Sequence, residues 1–101
     1  MRETRSIAFL IRNPGDFVEG IRSALGLALE NYLVEIFVFC AVGDPETTTR
    51  ENLAWLNDME VEVFTDHWED AQSLGFLFRT PEELGARLKD ADLVIPFGRT
   101  P

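Results

Sequence analysis

The chain predicts an α/β protein: a single three-layer sandwich with a mostly parallel sheet of four to five strands and helices on both faces. Three observations point there. Two runs, Arg-Ser-Ile-Ala-Phe-Leu-Ile over 5–11 and Leu-Val-Glu-Ile-Phe-Val-Phe-Cys over 33–40, are apolar with little alternation, as suits central parallel strands covered on both sides. Segments with helical periodicity and start signals fill the gaps between the apolar runs, and alternation of strand with helix implies right-handed crossovers. Finally, 101 residues with 46% hydrophobic content suit one packed domain, 1–101.

Taken in order, the first strand over 5–11 breaks on Asn13-Pro14-Gly15 and restarts as a helix at Asp16. Asp16 and Glu19 have capping-box spacing. Phe17, Ile21, Ala24, Leu25, Ala28 and Tyr32 then recur at helical spacing and form one apolar face. Gly20 and Gly26 each weaken that helix by about 1 kcal/mol relative to Ala, which suggests close packing on the sheet. After the strand over 33–40, Thr48 and Glu51 repeat the capping spacing before Leu53, Ala54 and Leu56. Residues 61–65, Val-Glu-Val-Phe-Thr, alternate as a half-covered strand does. Asp66 and Glu69 repeat the cap before a short helix with Ala71 and Leu74. Gly75-Phe76-Leu77-Phe78 reads as a loop. Thr80-Pro81-Glu82-Glu83 is the strongest start signal, with Thr at the N-cap, Pro at N1 and Glu at N3. Leu84, Leu88 and Ala91 supply that helix's buried stripe. Residues 92–97 give the last strand, in which Pro96 belongs at an end or on a sheet edge. The expected order is β-α-β-α-β-α-α-β.

The net charge is −9, from 18 acidic and 9 basic residues. Such a surface repels nucleic acid and anionic membranes, so neither is an expected partner. The opening residues carry no signal-peptide pattern and no run could span a bilayer, so a cytoplasmic protein is the expectation. One cysteine, Cys40, excludes an internal disulfide and a multi-cysteine metal site.

The candidate chemistry is sparse. The first strand-to-helix turn has one glycine where a dinucleotide fingerprint needs three, and no Walker lysine. Asp16 at the helix start would repel an anion. Thr65-Asp66-His67-Trp68-Glu69-Asp70 holds the only histidine among carboxylates, but the capping spacing already accounts for Asp66 and Glu69, and no metal is implied. Nor does the stretch fit a phospho-acceptor receiver, because the first strand ends in Arg12-Asn13 rather than an acidic pair. Cys40 ends an apolar strand and is expected to be buried, with a raised pKa. Asn13, Gly15, Asp16, Gly43, Thr65 and His67 lie in loops after successive strands, so they should share one edge of the sheet and border a ligand-binding crevice. Phe76 and Phe78, with Trp68, are expected either to fold over the core or to meet another subunit, and Trp55 is ambiguous in the same way.

The stretch "IAFLIRNPGDFVEGIRSALGLALENYLVEIFVFCAVGD", with the closing "LKDADLVIPFG", resembles the DsrE/DsrF-like family of small sulfur-relay proteins. The resemblance implies a parallel α/β sandwich that assembles into trimers or hexamers. In some members a cysteine after the third strand carries a persulfide and passes sulfur to a protein partner. That region here is Val63-Phe64-Thr65-Asp66-His67 and has no cysteine. The expectation is therefore a non-catalytic, cofactor-free homo-oligomer, a structural or regulatory subunit linked to sulfur relay, with Trp68, Phe76 and Phe78 at its interface. The alternatives are a thiol or persulfide carrier using Cys40, and a small-ligand-binding domain.

Overall fold

A computed structural model describes residues 6–97 of the chain. Five parallel strands form one sheet: β1 (Ser6–Ile11), β2 (Leu33–Val38), β3 (Glu62–Thr65), β4 (Leu77–Phe78) and β5 (Leu93–Phe97), in the order β4-β3-β2-β1-β5. Four helices connect them: α1 (Phe17–Leu29), α2 (Thr47–Asp58), α3 (Trp68–Leu74) and α4 (Pro81–Leu88). The two apolar runs pair in the centre, with Phe9 opposite Ile36 and Ile11 opposite Val38. Arg5, placed in the first strand by its apolar run, lies outside the described residues. Pro96 is on an edge strand, where its missing N–H costs least.

The two sheet faces are unevenly covered. α1 and α2 lie over one face, burying Ile7, Phe9, Ile11, Ile36 and Val38 against Ile21, Ala24, Leu25 and Leu56. Burying side chains of this size contributes about 1.5–3 kcal/mol each. The other face is covered by α4, whose Leu84 packs with Ala8, Phe37 and Phe64. Phe37 and Phe64 stack with centroids 5.2 Å apart. The lone charge of β2, Glu35, is on this face and accepts hydrogen bonds from Arg87 Nε at 3.0 Å and Nη2 at 2.6 Å. The Arg87 guanidinium also lies 4.8 Å from the Phe64 ring centroid, so a single side chain ties α4 to β2 and β3. Val94 and Pro96 share this face through their register with Ala8 and Leu10, and remain exposed.

Helix starts vary in how closely they follow their sequence signals. Thr80 forms a complete capping box: its hydroxyl accepts from Glu83 N–H, and the Glu83 carboxylate accepts from Thr80 N–H at 2.9 Å. Asp16 is at the N-cap of α1 but its side chain makes no capping bond. α2 starts at Thr47, with Glu46 at its N-cap, rather than after Thr48. Here Arg50 reaches back to the Pro45 carbonyl at 3.1 Å and pairs with Asp44, which draws the chain into the helix earlier. α3 starts at Trp68, with His67 at its N-cap rather than Asp66. The Thr65 hydroxyl accepts from His67 N–H at 3.0 Å, a local turn that delays the helix.

Two further expectations are corrected. Residues 75–78 are a loop only over Gly75 and Phe76: Gly75, at φ +76°, ends α3 in the left-handed conformation, and Leu77 and Phe78 then run alongside Phe64 and Thr65 as β4. Tyr32 is exposed beyond the end of α1 rather than on its buried face.

The two glycines of α1 have different roles. A Cβ at Gly20 would stand 2.6 Å from Ile11 Cδ1, whereas one at Gly26 meets nothing within 4 Å. Gly20→Ala forces a shift of the fully buried Ile11, an overpacking cost of about 1–3 kcal/mol that exceeds the helix-propensity gain. Gly26→Ala has only the gain, about 0.5–1 kcal/mol. Urea denaturation is expected to show opposite signs for the two variants, and equal signs would contradict this packing.

Candidate functional site

Because all strands run parallel, the loops after β1, β2 and β3 emerge at one edge of the sheet. The predicted residues Asn13, Gly15 and Asp16 are in the first of these loops, Gly43 is in the second, Thr65 ends β3 and His67 is in the third. At this edge Cys40 is largely buried, only 9% exposed. Burial, followed by the nearby charges of Asp70, Asp66 and Asp16, pushes its thiol up from an ordinary 9.0 to about 11.

Asp70 organises the edge, and the sequence reading missed it. It is in the first turn of α3, yet its side chain crosses to the loop after β2. There its carboxylate accepts from Val42 N–H at 2.8 Å and from Gly43 N–H at 3.3 Å. Gly43 presents its amide with φ +70°, a conformation that favours glycine. Asp70 is 4% exposed and pairs with no basic side chain among the described residues. The two charge-assisted bonds offset part of its desolvation cost. Its only sequence signal was its place one turn after Asp66, where a first-turn carboxylate reads as a helix-dipole partner.

The arrangement has direct chemical consequences. Backbone N–H groups of a strand-to-helix loop are the groups that hold phosphates in other α/β proteins. Here Asp70 already occupies two of them, as an internal anion. Asp16 and Asp66 add negative charge nearby, and one carboxylate oxygen of Asp66 is buried without a hydrogen-bond partner. Among the described residues no three His, Cys, Asp or Glu side chains are grouped to hold a metal ion. Thr65 is fully buried, with its hydroxyl engaged by the His67 amide, while Asn13, Gly15 and His67 are exposed. The crevice residues thus share an edge, with the Asp70 carboxylate and the Cys40 thiol buried at that edge. A hollow of about 640 Å³ lies elsewhere, between α2, β3 and the end of α3.

The aromatic residues separate into two groups. Phe76 is buried in its own chain's core, 6.3 Å from Phe17 between ring centroids, and is therefore not available to an interface. Its position in the residue run one step before β4 turns it toward α1. Trp68 and Phe78 remain 58% and 37% exposed, in edge-to-face contact at 5.3 Å. Trp55 is exposed on α2. Comparison of the chain with protein-family models, curated proteins and solved structures gave no match.

Two outcomes follow from this geometry. Asp70→Asn leaves one of the two loop amides facing an NH₂ group, at a cost of about 1–3 kcal/mol in urea denaturation. It also removes a neighbouring charge, so the thiol titrates closer to 9.0, readable from the ultraviolet absorbance of the thiolate. The thiol's own pH dependence has a definite sign. Between pH 9 and 11 the unfolded chain loses the Cys40 proton while the folded chain keeps it, so this contribution to stability falls as pH rises through that window. Cys40→Ser is expected to lose less stability than the parent over the same range, and parallel pH profiles for the two would contradict the assignment.

Proposed function

We propose that this chain is a non-catalytic, oligomer-forming protein of the DsrE-like type, a structural or regulatory subunit linked to sulfur relay. The observation that carries the reading is the state of Cys40. A relay cysteine reacts as thiolate. With the thiol held near 11, the thiolate fraction near neutral pH is on the order of one in ten thousand. The surrounding carboxylates would also repel an incoming anionic sulfur species. At the place where relay members carry their cysteine, after the third strand, this chain has Thr65, Asp66 and His67, of which Thr65 is buried and already bonded.

Assembly is supported by the exposed pair Trp68 and Phe78 beside the edge strand β4. Aromatic surface at a sheet edge is a feature that a second copy covers. A trimer or hexamer in which this surface is buried fits the resemblance noted above.

Light scattering at micromolar concentration is expected to give a mass above that of the monomer. The double variant Trp68→Ser, Phe78→Ser is expected to dissociate while keeping the circular dichroism of the parent. A monomeric parent chain would end the assembly reading. Incubation with a sulfur donor should leave the intact mass unchanged, and Cys40 should react slowly with a thiol reagent until the chain is denatured. Sulfur added to native Cys40 would instead make the protein a carrier.

A further inference from the structure

α3 is the shortest of the crossover helices between neighbouring strands, with 7 residues against 13 in α1 and 12 in α2. At about 1.5 Å per residue it spans about 10 Å where the others span about 18–20 Å. The shortfall is roughly a turn and a half of helix, and it leaves part of β3 without helical cover. The 640 Å³ groove lies at this gap. Leu53 and Ala54 of α2 form one wall, and Leu74 and Phe76 form the other. Val61 and Val63 also line it, as do Glu60 and Glu62, the latter paired with Arg87 on the α4 side of the sheet.

We propose that this groove docks a short, lysine- or arginine-rich amphipathic helix from a partner protein. Three features select that occupant. The groove adjoins the short α3, and its half-buried Leu53, Val61, Val63 and Leu74 offer apolar contacts to one face of a helix. The charges select a cation. Glu60 pairs with no basic side chain among the described residues, and Arg50, the basic residue lining the groove, is tied to Asp44 and the Pro45 carbonyl. A second copy suits this groove less well, because its 9 basic residues are outnumbered by 18 acidic ones where the unpaired Glu60 calls for a cation. The site uses neither Trp68 nor Phe78, so it stands or falls separately from the assembly reading.

The test is fluorescence anisotropy of the full chain with a labelled synthetic helix that has leucines at i, i+3, i+4 and i+7 and lysines elsewhere. Saturable binding that weakens with salt is expected. Ala54→Trp, which fills the groove from an exposed helix position, should weaken it at least about tenfold, as should Ala54→Lys, which adds a repelling charge. Glu60→Gln should flatten the salt dependence. Trp55→Ser, on the outer side of α2, should change affinity less than about twofold. Circular dichroism checks that each variant folds. Absence of binding to the parent chain overturns the proposal. So does undiminished binding to both folded Ala54 variants, or equal binding of a peptide with glutamate in place of lysine. A change in assembly mass on Ala54→Trp overturns it too, by assigning the groove to a second copy.

Discussion

The C-terminal edge of the sheet depends on the Asp70 carboxylate. Its two bonds to the amides of Val42 and Gly43 fasten the loop after β2 to the start of α3, two segments separated by more than the whole of α2 and β3. A buried carboxylate without a basic partner is costly, and it persists only where fixed donors meet it. In this chain the donors are backbone groups, and Gly43 supplies one of them from a left-handed conformation. The contact also has an electrostatic effect. It places a negative charge beside Cys40, adding to burial in keeping the thiol protonated, and it occupies the amides that would otherwise attract an anion.

The sheet was legible in the sequence because its signals are local and strong. Residues 33–38 are apolar on both faces except at Glu35, and that exception has a structural cause in Arg87. Thr80-Pro81-Glu82-Glu83 specified its helix start because every donor and acceptor of the capping box is within four residues. The misplaced starts of α2 and α3 arose where other short-range bonds, from Arg50 and Thr65, competed with the cap spacing. β4 was missed because two residues are too few to show a period, and only Gly75 marks the turn into it.

The candidate site was legible in its location and not in its chemistry. Counting strands was enough to bring Asp16, Gly43 and Thr65 to one edge, since parallel strands all end there. Asp70 could not be identified in the same way. Its partners are 27 and 28 residues away, and a carboxylate in the first turn of a helix has a sufficient local explanation. The same limit applies to Phe76 and Phe78. Two residues apart in one apolar run, one is buried against Phe17 and the other is exposed beside Trp68. The difference is set by where the short β4 joins the sheet, which is a tertiary fact.

Excess negative charge links these features. At the sheet edge, carboxylates around a buried thiol oppose the ionisation that sulfur transfer would need. At the far end of α2, Glu60 lines an apolar groove, where a desolvated cation would gain most from it. A chain whose carboxylates were spread only for solubility would have no reason to bury Asp70 or one oxygen of Asp66, or to leave Glu60 without a basic partner among the described residues beside the short α3.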